Sequence, residues 1–168
     1  RKQLENLLHE KNIVLNAAMQ IKMPSNYIVG KNTPPDEKVR SIIEHSNVEL
    51  KNIITTVTNK DNTSYKRNFF GKLLTSMAYK AFISSLKSSS KKFFYDNKCN
   101  SCGICVDLCP AENISLNSDK KPQWSDKCEQ CMACISWCPQ KAIQFGQKTV
   151  TRNRYHNPDV KISEILSR

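Results

Sequence analysis

Eight cysteines fall in two runs. Cys99, Cys102, Cys105 and Cys109 are followed by Pro110; Cys128, Cys131, Cys134 and Cys138 are followed by Pro139. Each run reads C-x-x-C-x-x-C-x-x-x-C-P. That spacing is the bacterial-type ligand pattern for a pair of 4Fe-4S clusters, in which the fourth cysteine of a run serves the other cluster. The chemistry it points to is one-electron transfer. A cube has four irons, and each takes one thiolate. Three thiolates spaced three residues apart can reach from one loop curling round a cube, whereas a fourth at the next position would have to double back. Cys99, Cys102, Cys105 and Cys138 are therefore expected to ligate the first cluster. Cys128, Cys131, Cys134 and Cys109 are expected to ligate the second. Pro110 and Pro139 fix φ and remove a backbone donor just after each crossing cysteine, which turns the chain away.

The two runs belong to an internal repeat. Cys99 maps on Cys128, Cys109 on Cys138, Pro110 on Pro139, Ile114 on Ile143 and Leu116 on Phe145. Each half is expected to be a loop, a short helical turn and a strand. Neither half completes a cluster alone, so folding and cluster binding should be coupled. Two other readings use the same thiols. Structural zinc usually takes C-x-x-C pairs separated by a longer gap, a poor match to two triplets with crossing fourth cysteines. Disulfides need an oxidising compartment, and no signal-like segment suggests one. Iron and acid-labile sulfide would decide for clusters, zinc without sulfide against them.

Charge is unevenly placed. The formal net charge of the 168 residues is +11. Residues 1–92 carry 16 basic and 7 acidic residues, whereas residues 93–145, the cysteine region, carry 5 and 6. The basic side chains are scattered lysines among apolar residues, not a nucleic-acid motif, so no nucleic-acid partner is expected. Steering towards a redox partner protein with an acidic surface is the functional reading of that charge, and a solvated surface is the bland one. No run approaches the ~20 apolar residues that span a bilayer, so no membrane span is expected, and a cytoplasmic location follows from the reduced thiols. The chain opens at Arg1 without a methionine, and a fragment, a processed product or an ordered remainder is the expectation. Spacing says nothing of oligomeric state.

The elements that must carry these residues are legible in outline. Residues 1–13 read as the end of a helix, with Leu4, Leu7 and Leu8 at helical spacing. Val14 to Met23 alternates like a strand, and Pro24 ends it. Pro34-Pro35 precedes a helix beginning near Asp36, with Val39, Ile42, Ile43, Val48, Leu50, Ile53, Ile54 and Val57 on its apolar side and two carboxylates in its first turn. A lone strand has nothing to pair with, so this helix–strand–helix is expected to close an α/β layer whose other strands lie upstream of Arg1. Asn59 to Ser64 is a polar linker. Tyr65 to Leu86 reads as an amphipathic helix whose stripe includes Phe69, Leu73, Met77, Phe82, Ile83 and Leu86. It is expected to pack on the cysteine domain, with a membrane surface or a partner as the alternative. A serine-rich connector follows, then the two cysteine halves, then a basic tail over 147–168 expected to lie along the surface.

Three passages carry a family resemblance. Met23-Pro24-Ser25-Asn26-Tyr27 looks like the Met-Pro-x-Asn-Tyr after a late strand of a flavodoxin domain. Lys127-Cys128-Glu129-Gln130-Cys131-Met132-Ala133-Cys134, through Trp137-Cys138-Pro139, resembles a second cluster loop. Arg152-Asn153-Arg154-Tyr155-His156-Asn157-Pro158 resembles an Arg-x-Arg-Tyr-His-x-Pro tail. Together they resemble the flavodoxin–ferredoxin fusion family. The resemblance implies an α+β chain: a bacterial-type two-cluster ferredoxin domain over 93–146, preceded by a partial flavodoxin-like α/β segment over 1–58 and by a linker and amphipathic helix over 59–92. It also implies FMN, but only in a flavodoxin part upstream. No hydroxyl- and glycine-rich phosphate loop of the kind that holds FMN at a helix N-terminus occurs among these residues.

No acid, base and nucleophile converge in the pattern, and no nucleotide-binding glycine motif is present. A low-potential, ferredoxin-like electron-transfer protein is expected rather than a catalyst, with an oxidoreductase as the alternative if a flavin domain is joined to it. Trp124 and Trp137 are expected to shield the clusters from water, and Gly103 to let backbone approach a cube. His9, His45 and His156 are read as isolated surface or capping residues, and Tyr155 and His156 as packing.

Overall fold

The computed structural model describes residues 2–63 and 69–166. The chain divides into two compact units: Arg1–Pro24 with Pro35–Leu74, and Ser25–Pro34 with Thr75–Arg168.

The first unit is helical. The leading residues form α1 (Lys2–His9), and α2 runs Asp36–Thr58. Asp36 and Glu37 sit in the first turn of α2, where negative charge offsets the helix dipole. The helix ends where Lys60 takes φ 57° and the Asn59 N–H bonds the Thr55 carbonyl at 2.9 Å, a left-handed stop. Of its expected apolar side, Val39 and Ile43 are buried while Val48, Leu50, Ile54 and Val57 are exposed. The Ser46 hydroxyl is buried and lies 2.6 Å from the carbonyls of both Lys22 and Ile42.

The expected strand over Val14–Met23 does not form. Alternation alone makes no strand, since the backbone groups must find a partner ladder, and none is offered among the described residues. The Ala18 N–H instead finds Thr63 Oγ1 at 3.1 Å, and the Thr63 N–H finds the Asn16 carbonyl at 3.2 Å.

The second unit takes in α3 (Phe69–Ser89) from Thr75 on, and this helix leads into a 3-10 turn and then β1 (Phe93–Tyr95). The start of the expected amphipathic helix at 65–68 lies outside the described residues. Met77 is 64% exposed and Phe82 and Ile83 face solvent, with one edge-on contact between Phe82 and Tyr27, centroids 6.5 Å apart. The core of this unit includes Ile28 and residues of the cysteine loops.

Next come α4 (Ile104–Asp107), β2 (Ile114–Leu116), β3 (Pro122–Trp124), α5 (Ala133–Ser136) and β4 (Ile143–Phe145). Among the described residues they make two antiparallel pairs, β1 with β4 and β2 with β3. Phe93 faces Phe145 and Ile114 faces Trp124. The repeat is literal at the backbone. Shifting α4 and β2 by the distance from Cys99 to Cys128 lands on α5 and β4, end for end. Left-handed residues repeat too: Ser101 with Gln130, Gly103 with Met132, Glu112 with Lys141. Phe93, Cys105, Ile114, Met132, Cys134, Ile135, Ile143 and Phe145 form one core with Ile28.

The tail is more than a surface strap. Thr149 is fully buried, and its Oγ1 takes the Phe145 N–H at 2.8 Å, which closes the end of β4. A last turn of helix, α6, covers Ile162–Leu166.

Candidate metal centre

Each cysteine run wraps one side of a small cavity, and the cavity is closed by a cysteine from the other run. Cys99, Cys102 and Cys105 line the first with Cys138 and Pro139. Cys128, Cys131 and Cys134 line the second with Cys109 and Pro110. All eight sequence-predicted residues are thus gathered, four and four. The third cysteine of each run, Cys105 and Cys134, sits on the short helices α4 and α5, which pack on each other, and both are buried. Cys102 and Cys131 reach solvent.

The local backbone explains how three sulfurs turn to one side. A left-handed residue stands between the first and second cysteines (Ser101, Gln130) and another between the second and third (Gly103, Met132). Turns of this kind collect backbone N–H groups into an anion-binding concavity. Gln130 N–H points at Cys128 Sγ, 3.4 Å away. The crossing cysteines are served alike: the Asn113 N–H reaches Cys109 Sγ and the Ala142 N–H reaches Cys138 Sγ, each at 3.3 Å. Gly103 holds φ 79°, which glycine adopts without strain, and it lines the first cavity. Its counterpart Met132 holds φ 62° with a full side chain, buried to 1% exposure.

Burial and crowding hold the thiols of these sites protonated unless a cation offsets their charge. Burial pushes the Cys105 thiol up from its ordinary 9.0 to about 11, helped by the charges of Cys102, Cys138 and Cys99. Burial likewise raises Cys134, with Cys131, Cys128 and then Cys105 adding to it, so the two sets adjoin through their buried members. Cys131 is raised by burial first, then by Cys109 and Cys128. Thiolates crowded this way need cations to offset them, and metal binding supplies those cations while displacing the protons. A single ion would need three or more donors converging on one point, and no group of three His, Cys, Asp or Glu does so among the described residues. A cube asks each sulfur to meet a different iron. The residues present fit such a group in one further respect. The Trp124 indole N–H is buried with no acceptor at full hydrogen-bond geometry, yet it lies close enough to Cys134 to favour that thiolate as a weak donor.

Aromatic rings close the second site. Trp124 stacks on Phe93 with centroids 5.5 Å apart, and Phe93 meets Phe145 edge-on at 4.8 Å. Trp124 and Phe93 both line that cavity, as shielding requires. Trp137 lines neither cavity; it is covered by His156, stacked at 4.0 Å. His156 is therefore not isolated, in contrast to the expectation. His9 and His45 are exposed as expected, but His45 is not isolated either: its Nε2 lies 3.6 Å from Glu49 Oε1.

Residues that spacing did not single out support the second loop. Asn26 Nδ2 donates to the Cys131 carbonyl at 3.4 Å, and the Tyr27 hydroxyl donates to Gln130 Oε1 at 2.7 Å. Ile28 between them and the tail is fully buried. Arg152 Nη1 holds the carbonyls of Ile28 and Val29, the latter at 2.9 Å. Arg154 holds the Ile143 carbonyl at 3.2 Å and Gln144 Oε1 at 2.6 Å. Asn113 is buried, and its Oδ1 accepts the Lys127 N–H at 2.6 Å just before Cys128. The Met-Pro-x-Asn-Tyr and Arg-x-Arg-Tyr-His passages flagged several of these residues without saying what they touch.

No helix among the described residues is long and apolar enough to cross a membrane. No curated protein matches the chain. Residues 98–143 match the family model of a 4Fe-4S dicluster domain, which supports a ferredoxin-like domain in the cysteine-bearing part of this chain.

Proposed function

We propose that this chain carries electrons through two 4Fe-4S clusters, one held by Cys99, Cys102, Cys105 and Cys138 and the other by Cys128, Cys131, Cys134 and Cys109. The observation that supports it is the pair of adjoining cavities, each lined by one triplet and the far run's fourth cysteine. When bound, each cluster takes up and gives up one electron. The protein's part is to hold, shield and connect. Cys105 and Cys134, on packed helices, bring the two sites together in a dry core. Phe93 and Trp124 keep water from one of them. Cys102 and Cys131, which reach solvent, are the sulfurs nearest a docked partner. The strongly positive chain favours a partner protein with an acidic face, and thiols that must stay reduced to ligate iron favour the cytoplasm.

A second reading adds a flavin. The passage that resembles the end of a flavodoxin domain, Asn26 and Tyr27, bonds the loop bearing Gln130 and Cys131. An FMN-binding flavodoxin part outside this sequence would then feed the Cys131 side, and the intact protein would be an oxidoreductase.

Anaerobic titration of the loaded chain with a one-electron reductant tests the carrier reading. Uptake of about two electrons per chain, one for each cluster, followed by rapid delivery to an acidic acceptor protein, is the expected result. Delivery should slow as salt is raised, because steering is screened. Clusters that accept no electrons, or keep them from every acceptor, would mean a purely structural role.

A further inference from the structure

The internal repeat allows the surroundings of the two sites to be compared position by position. Many features cancel. The Asn113 and Ala142 amides serve one crossing cysteine each, at the same 3.3 Å. Lys98 precedes Cys99 as Lys127 precedes Cys128. One feature has no counterpart: Arg154, contributed by the tail.

Arg154 is half-buried and fixed by four acceptors. Nη1 donates to the carbonyls of Thr149 at 3.0 Å and Arg152 at 3.1 Å. Nη2 donates to the Ile143 carbonyl and Gln144 Oε1. All four acceptors are neutral, so the guanidinium keeps its charge uncompensated by contact. Its Nε is buried and has no partner. Burial works against its charge, and the groups that sustain it are Cys138 first and Asp96 second. Geometry ties it to the same place: Ile143, whose carbonyl Arg154 holds, lines the cavity that Cys138 closes. Asp96 is the opposing carboxylate, anchored by its N–H to the Ala142 carbonyl at 3.0 Å and lying 4.0 Å from Lys98 Nζ. The same cavity has Lys120 in its wall, and Lys121 Nζ bonds the Cys99 carbonyl. Around the other cavity the charged lining residue is Glu129.

We propose that Arg154 sets the reduction potential of the iron–sulfur centre that Cys138 ligates, holding it above the value it would have without the tail, and leaves the other centre untouched. This rests on the cluster reading above. Reduction adds one electron and breaks no bond, so the centre gains one negative charge. A fixed cation in a weakly screened position stabilises that charge. The electron comes from any one-electron reductant. The tail residues around Arg154 are then positioning residues for its charge: Thr149 caps β4, and Arg152 ties the tail to Ile28 and Val29.

The test is an anaerobic potentiometric titration of the full chain, followed by electron paramagnetic resonance. Cys138→Ser identifies which signal belongs to the Cys138 centre. In Arg154→Gln the oxidised-to-reduced ratio of that centre at a fixed potential should rise at least tenfold, which is a lowering of about 59 mV for one electron. The other centre should hardly move. Arg154→Lys, which keeps the charge but not the fork, should retain most of the wild-type value. No shift, an equal shift of both centres, or a Lys variant that falls as far as the Gln variant would overturn the proposal. If Arg154→Gln fails to hold its iron, Asp96→Asn gives the answer instead. Removing the opposing carboxylate should raise the potential of the same centre alone, and no change there would overturn the proposal. Failure of the crossing assignment shows separately, as loss in Cys138→Ser of the centre that also depends on Cys128.

Discussion

Changing Cys109 to serine should strip the centre built on Cys128, Cys131 and Cys134 and spare the one built on Cys99, Cys102 and Cys105. Cys138→Ser should do the reverse. Each change should remove up to about four irons per chain, half the expected content, because one cube is lost and the other keeps its ligands. The basis is which cavity each fourth cysteine lines. Cys138 closes the wall opposite Cys99, Cys102 and Cys105, and Cys109 closes the one opposite Cys128, Cys131 and Cys134. Charge neighbours agree: Cys105 feels Cys138, and Cys131 feels Cys109. Iron analysis with the spectrum of the surviving centre reads the result. If each serine instead removed the centre of its own triplet, the crossing would be wrong.

Removing iron by anaerobic chelation should melt the cysteine domain while α2 persists. The reason is the size of its elements. Its helices α4 and α5 are one turn each, and its strands have three residues. A single turn is not stable alone, and a two-stranded ribbon is marginal in water. What joins them is a core that includes Cys105 and Cys134, with Cys109, Cys128 and Cys138 packed against it. Without iron those sulfurs are thiols or crowded thiolates, and burial already drives Cys105 up to about 11. Ligation is folding energy in small metal-dependent domains. Hydrogen exchange should therefore show protection lost at the β1–β4 and β2–β3 pairs after chelation, with the 23-residue α2 still protected. Amides of β1–β4 that stay protected without iron would mean that the core stands by itself.

Much of the site was legible because its chemistry is written in spacing. Cysteine is the ligand, the repeat fixes where each half begins, and the short helices and strands after the triplets follow from it. What spacing missed are the partners of those strands. Phe93-Phe94-Tyr95 is a β-prone aromatic run, yet it pairs with β4 some fifty positions on, which no local pattern announces. β3 begins at Pro122, a residue that argues against a strand except at an edge or a strand's first position, and it takes that first position opposite Leu116. Val14–Met23 failed the other way: its alternation was real, but a strand is a pairing and not a pattern. Asn26, Tyr27, Arg152 and Arg154 stood out as motifs, but their bonds to the second loop, Ile28 and β4 depend on contacts between segments over a hundred residues apart, or on a tail folding back. Such contacts are invisible to a reading by neighbours.

The most direct test of the central claim is one assay of anaerobically purified chain for iron, acid-labile sulfide and released flavin. Two cubes predict about eight iron and about eight sulfide per chain, with no flavin held by these residues. Zinc without sulfide, or iron near four with half the thiols free, would contradict it.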